Sequence, residues 1–263
     1  MSGRQITSLT NATVKAVRAL HLRKEREESG LFLAEGLKLV GEAFDLGRIP
    51  SILLYGPEAA ALPLLQRIAR ATTAAGGDVI EVNREILEKV SRRDNPQTVI
   101  AVFPQVFGDL NALEPQAANC WVALQAVRDP GNLGTIVRTA DAAGCGGVIL
   151  VGDCCDPYSV EAVRATMGSI FATPLFKASV ADFIAWRARW PGSVAGTLLS
   201  AEVGYREADY RRPTLILMGN EQAGLPPELA AICDVNVKIP MRGRADSLNL
   251  SVATGIMIYA VTG

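Results

Sequence analysis

Histidine is almost absent from this chain: His21 is the only one in 263 residues. Chemistry that needs a base near neutral pH must use that residue or find another group. Neither sign of charge is in excess, with 26 Lys and Arg against 27 Asp and Glu. A phosphate-rich partner would have to be met by local patches, because bulk charge does not attract it. The five cysteines, Cys120, Cys145, Cys154, Cys155 and Cys233, contain no C-x-x-C spacing. The adjacent Cys154 and Cys155 are poorly placed to grip one ion, so no metal site is expected. The odd count, without a secretory signal, points to reduced thiols and a cytoplasmic protein. No apolar run approaches the roughly 18 residues that span a bilayer, so no membrane partner is expected. Internal repeats and low-complexity segments are missing as well.

What is present is a large apolar share, 49%, against 20% charged residues, enough for a substantial core in two modest domains. Thr10 or Asn11 can cap a helix lined by Val14, Val17 and Leu20. Residues 31–104 alternate short strands (31–34, 51–56, 78–82, 98–103) with helices (36–46, 58–71, 84–90). They complete a small α/β domain over 1–104, with more basic than acidic side chains. Residues 105–119 hold Pro, Gly and Asn without a sustained period and read as a linker. A second α/β series over 120–263 has strands at 120–127, 147–151, 193–199, 214–218 and 234–239. Its helices fall at 132–143, 159–168, 180–189, near 226–231 and at 249–261. That alternation predicts a mostly parallel sheet, with ligands at the carboxyl ends of its strands.

Three loops at such strand ends carry the chemistry. The first, "RDPGNLGTIVRTADAAG" (128–144), looks like a dinucleotide loop but lacks the middle glycine of G-x-G-x-x-G, which disfavours a nicotinamide oxidoreductase. Asn132 stands at its helix start. Arg138, in the second turn, can lean back toward the same strand end or snorkel over the helix surface. The second, "LILMGNEQAGLPPEL" (215–229), places Gly219, Asn220 and Glu221 after a buried strand. The third, "VKIPMRGRADSLNLSVATGIMIYAV" (237–261), runs from Ile239 through a polar loop with Arg242, Arg244 and Ser247 into an apolar helix rich in small residues.

In order and spacing, "DPGNLGTIVRTADAAG", "MGNEQAGL" and "IPMRGRADSLNLSVATGI" resemble the SpoU-type (TrmH-like) RNA 2′-O-ribose methyltransferases of the SPOUT superfamily. "GLFLAEGLKLVGEAF" (30–44) is similar to the start of that family's L30e-like substrate-binding module. The resemblance implies an α/β fold whose mostly parallel C-terminal sheet is tied in a trefoil knot, behind a small L30e-like domain. It implies S-adenosylmethionine held in the knot by Thr197, Gly219, Asn220, Ile239, Leu248 and Asn249. It implies a homodimer, methylation of a ribose 2′-hydroxyl, and a central role for Arg138 beside Asn132, Glu221, Ser247 and Asn249. A free guanidinium is a poor base, with a pKa above about 12, so Arg138 either gains help from bound phosphate and burial or only positions the ribose. Gln222 departs from the glycine common in relatives. The basic "HLRKER" (21–26), Arg92–Arg93 and Arg242 with Arg244 form the expected RNA-backbone contacts. Ribosomal RNA is the expected substrate; a tRNA substrate, or a non-catalytic RNA-binding protein of the same fold, is the alternative.

Overall fold

A computed structural model describes residues 4–263, which divide into two units. One takes the chain up to Gln105 together with Tyr158–Phe171; the other takes Val106–Pro157 and Ala172–Gly263.

The first unit is built on β1 (Arg4–Ile6), β2 (Leu31–Glu35), β3 (Ile52–Tyr55), β4 (Asp78–Val82) and β5 (Val99–Pro104), in the spatial order β1-β4-β3-β5-β2. Strands β1, β4 and β3 are parallel, while β5 runs antiparallel to both β3 and β2. The helices are α1 (Ala12–Ala19), α2 (Arg23–Ser29), α3 (Leu37–Asp45), α4 (Pro63–Ala74) and α5 (Arg84–Ser91). Asn11 is the residue that caps α1, accepting the Thr13 N–H at 2.9 Å. The helix expected over 58–71 starts later, because Pro57–Ala59 is a separate 3-10 turn and Pro63 occupies the first turn of α4. Strand β1 was not expected: it is three residues long and buries only Ile6. Leu33, Leu54, Ile80, Ile86, Leu87 and Ile100 centre one side of the core.

The second unit contains β6 (Cys120–Gln125), α6 (Pro130–Ala142) and β7 (Val148–Val151). The chain then forms α7 (Val160–Thr166), which belongs to the first unit, and returns as β8 (Leu175–Ala178) and α8 (Val180–Arg187). It ends with β9 (Val194–Thr197), β10 (Val203–Gly204), β11 (Thr214–Met218), α9 (Pro227–Ala230), β12 (Val235–Lys238) and α10 (Leu250–Thr262). Seven strands pair in the order β10-β12-β9-β11-β6-β7-β8, and every pair is parallel. Every residue of β11 and the first five of β6 are buried, as strands covered on both faces require. The short β8 and β10 are additional to the expected strands and close the two edges.

Residues 106–119 are packed rather than loose. Gly108 bridges to Phe176, Leu110 and Leu113 join the core around Trp121, and the Trp121 indole donates to the Pro115 carbonyl at 3.0 Å. The stretch around α7, expected as a helix of the second domain, completes the first unit instead. Tyr158 lies 4.6 Å from Phe32 and Phe171 lies 4.8 Å from Phe103, ring centre to ring centre. Arg164 on α7 reaches the Glu35 carboxylate at the end of β2 at 2.6 Å, and the Glu35 side chain is 2% exposed. A buried carboxylate needs such a partner.

Candidate active site

The carboxyl ends of β9, β11 and β12 and the first turn of α10 surround a cleft of about 560 Å³ in the second unit. This lies where a parallel sheet places its ligands. Thr197, Gly219, Asn220, Ile239, Leu248 and Asn249 all line it, and so do Asn132, Glu221 and Ser247. Leu198, Leu199, Met218, Met241 and Ala253 add apolar walls that the motif reading did not single out. Leu198 and Leu199 close the strand expected over 193–199, and the observed strand stops at Thr197, which frees both for the cleft.

Gly219 is forced by sterics. A Cβ there would lie 2.2 Å from the Gly224 carbonyl carbon and the Leu225 nitrogen, and neither backbone atom can swing away. The turn is closed by paired Asn220–Gly224 backbone hydrogen bonds, with Gly224 at φ +69°. The Asn220 side chain accepts from the N–H groups of Gln222 and Ala223 and donates to the Ala126 carbonyl at 2.7 Å. Asn220 thus ties the second loop to the end of β6.

The three loops are stitched together by polar side chains. The Glu221 carboxylate accepts the N–H of Arg128 at 3.2 Å, that of Asp129 at 3.3 Å and the Asn132 side-chain amide at 3.4 Å. The Asn132 side-chain oxygen accepts from the Asn249 amide at 2.8 Å. Asn249 in turn caps α10, accepting the Ser251 N–H at 2.9 Å. A carboxylate only accepts and a helix N-terminus only donates, so the two ends of this chain set the orientation of both asparagine amides. Asp129 caps α6 by accepting the Asn132 N–H at 2.6 Å, which presents Asn132 to the network. Glu221 and Asn249 are exposed, so the network lies at the rim of the cleft rather than on its floor.

Ser247 lies on the rim, its hydroxyl 3.2 Å from Asp246, and stays outside this network. Arg138 is not gathered into the cleft either. It is exposed on α6, outside the cleft lining, and no hydrogen bond or ion pair holds it among the described residues. His21 belongs to the first unit, where its Nε2 donates to the Val90 carbonyl at 2.7 Å. Burial lowers its pKa, so it is a neutral structural group. Cys155 sits near the site, but burial, with Cys154, Glu221 and Asp129 adding to it, pushes its thiol up to about 12 and removes it as a nucleophile.

The cleft fits S-adenosylmethionine by its own features. Its volume lies within the about 300–1,000 Å³ of small-molecule sites. Leucine and methionine walls suit an adenine ring and a methyl group, and the Gly219 turn exposes backbone where a side chain would block it. Among the described residues no cluster of His, Cys, Asp or Glu could hold a metal ion. No helix there is long and apolar enough to cross a membrane.

A seven-stranded parallel sheet with three loops converging over one cleft is the architecture of SPOUT methyltransferases, whose trefoil knot the fold implies. The chain belongs to the SpoU rRNA methylase family, whose model matches residues 119–259, and an MRM3-like substrate-binding domain matches residues 11–101. It is 31% identical over 260 residues to the 23S rRNA (guanosine(2553)-2′-O)-methyltransferase RlmP of Bacillus subtilis, covering 99% of this chain and 100% of that one. An AdoMet-bound rRNA methyltransferase from Sinorhizobium meliloti superposes with a TM-score of 0.92 at 50% identity, covering 98% of this chain and 97% of that one. The SpoU methyltransferase AviRb from Streptomyces viridochromogenes, in complex with AdoMet, gives 0.84 at 29% identity, covering 96% and 97%.

Proposed function

We propose that this chain methylates a ribose 2′-hydroxyl of RNA, ribosomal RNA in particular, with S-adenosylmethionine as donor. The observation that carries the reading is the cleft itself: the six residues assigned to the cofactor by the resemblance line one cavity, whose loops are tied together by Glu221, Asn132 and Asn249. The relative RlmP and the neighbour from S. meliloti, matched over nearly the whole chain, support ribosomal RNA as the substrate.

Bound in the cleft, S-adenosylmethionine supplies an electrophilic methyl group. Attack by the ribose 2′-oxygen would break the donor's S–CH₃ bond, leaving a neutral thioether, and would release the hydroxyl proton to water, a displacement that calls for in-line placement more than for strong base chemistry. Thr197, Gly219, Asn220, Ile239, Leu248 and Asn249 hold the donor, with Leu198 and Met241 shielding it from water. Glu221, Asn132 and Asn249 keep the three loops in register. Ser247 stands at the rim beside the RNA. Arg138, exposed and cationic, orients the RNA phosphate and the 2′-oxygen.

Arg138 reaches a cleft through a homodimer. It stands beside Thr139, which packs near Gly255 of α10, and α10 exposes Val252 (51%) and Tyr259 (59%) along the same region. We infer that two copies pair over this strip and that the Arg138 of one serves the cleft of the other, as an isologous dimer allows. Five free cysteines suit a reducing, cytoplasmic compartment.

The test is incubation of the protein with radiolabelled S-adenosylmethionine and ribosomal RNA, followed by mapping of 2′-O-methyl positions. Labelled 2′-O-methylnucleoside is expected, and Arg138→Ala abolishes it while cofactor binding persists. Mixing Arg138→Ala with a chain carrying Gly219→Arg restores about a quarter of the turnover by random pairing in a two-fold dimer. Tight binding of NAD with none of S-adenosylmethionine overturns the reading.

A further inference from the structure

The first unit has a cavity that methyl transfer does not use. It lies at the carboxyl ends of the parallel strands β3 and β4, has a volume of about 260 Å³, and is lined by Tyr55, Ala60, Gln66, Arg70 and Glu81. That is just under the about 300 Å³ at which cofactor-sized sites begin, so it has room for one planar base, a fused purine included.

Its polar groups keep unused hydrogen-bonding capacity, although the Gln66 amide already donates to the Ala60 carbonyl at 3.3 Å. Tyr55 and Glu81 are register partners across the β3–β4 pair, so their side chains share one face of the sheet. Tyr55 is 3% exposed, yet its hydroxyl makes no hydrogen bond among the described residues. Burial, and secondarily the Glu81 charge, raise its pKa, which keeps it a neutral O–H donor. Glu81 accepts the Gln5 amide on Oε1 at 3.2 Å, which leaves Oε2 and the second lone pair of Oε1 open. Arg70 spends its Nε on the Gln66 carbonyl at 3.3 Å and leaves its terminal nitrogens unused among the described residues. The cavity therefore offers an acceptor carboxylate, a phenol donor and a guanidinium donor around one base-sized space.

This set selects among ligands. A free phosphate would meet Arg70 but be repelled by Glu81. Adenine and cytosine each present an amino donor beside an acceptor nitrogen, and a carboxylate is repelled by the acceptor. Uracil presents one N–H flanked by two carbonyls. Guanine presents two adjacent donors, N1–H and N2–H₂, next to the acceptors O6 and N7.

We propose that this cavity receives an unpaired guanine base of the RNA, with Glu81 accepting from N1–H and N2–H₂ and with Tyr55 and Arg70 donating to the O6 and N7 edge. The proposal rests on the reading of the chain as an RNA-modifying enzyme. It assigns the first unit a base-reading role distinct from the ribose that reacts.

The probe is a set of fluorescein-labelled pentaribonucleotides, UUXUU, with X as G, A, C, U or inosine, titrated by anisotropy with the full chain at a single fixed salt concentration. The G oligomer is expected to bind about tenfold more tightly than A, C or U, as a bidentate contact allows. Inosine, which lacks the 2-amino group, is expected to lose about fivefold. Glu81→Gln turns one acceptor into a donor and should bring all five oligomers to within about twofold. Tyr55→Phe should weaken only the G and inosine oligomers, because only they carry O6. Equal binding of the five oligomers by the unaltered protein overturns the proposal, and that arm depends on no variant folding. A guanine preference that survives Glu81→Gln overturns it too. Methyl transfer to ribosomal RNA is measured alongside. Transfer without a guanine preference sinks the cavity assignment alone, whereas no transfer to any RNA sinks the functional reading first. Glu81→Gln should raise KM for RNA about tenfold and leave kcat unchanged, since it touches binding away from the reacting atoms.

Discussion

A single missing side chain decides whether the Gly219–Gly224 turn can close. At Gly219 a methyl group would sit 2.2 Å from two backbone atoms, and no rotamer change relieves that. Gly219→Ala should cost about 1–3 kcal/mol as overpacking, and it should weaken S-adenosylmethionine binding in calorimetric titration more than it lowers the melting temperature. Glu221 poses a different case, because it is exposed and its removal leaves no buried vacancy. Glu221→Ala should leave global stability within about 0.5 kcal/mol. It should still lower methyl transfer at least about tenfold, since Arg128, Asp129 and Asn132 lose their common acceptor and a small misplacement is costly; turnover assays against denaturation curves check both halves. The convergence of these residues on one cleft was partly legible beforehand. The motif positions named Asn132, Glu221 and Asn249, but hydrogen bonds spanning 89 and 117 residues of sequence become visible only once the chain is folded. Arg138 shows the limit from the other side: its prominence came from resemblance, and in one chain it stands exposed on α6, outside the cleft.

Elements that bury apolar runs on both faces were legible, and those defined by their neighbours were not. Strands β6, β7 and β11 follow from near-continuous apolar stretches, and α6 and α10 from capping residues ahead of them. The edge strands β8 and β10 were missed because each is short and carries exposed positions, so periodicity alone could not separate them from loop. Strand β9 depends on a polar anchor that no pattern announces. Asp234, just before β12, accepts the Val194 N–H at 2.7 Å and the Arg187 guanidinium of α8 at 2.6 Å. Burial alone would raise its pKa, but these two donors outweigh it and hold the carboxyl below its ordinary value. A carboxyl depressed in the folded state adds stability above its unfolded pKa, and that stability fades as pH falls through the folded value. Asp234→Asn should therefore cost about 1–2 kcal/mol at pH 7, with the gap to the unaltered chain closing as the buffer approaches about pH 3. Urea unfolding at the two pH values measures it.

At the scale of the whole molecule, the front domain is not a bead on a string. Its fold takes Tyr158–Phe171 from deep inside the sequence that the methylase family model covers. Tyr158, Ile170 and Phe171 are 3%, 6% and 8% exposed in the complete chain. A shortened protein beginning at residue 106 should therefore express mostly as aggregate. The same shortened protein with those three residues changed to serine should recover soluble material that binds S-adenosylmethionine. Soluble yield and calorimetry distinguish the two, and equal solubility would mean that the aromatic segment finds other cover. The sequence pattern placed the boundary near residue 104 because strands and helices there form a complete-looking series, and nothing local marks a later segment as a guest in an earlier fold. The arrangement has a consequence in time. Residues up to Gln105 leave the ribosome well before Tyr158 exists, and about 50 further residues take several seconds at about 5–20 residues per second. During that interval Phe32, Phe103 and the Glu35 carboxylate lack their native cover, so the nascent front unit waits, unfinished, for the back of the chain to be made.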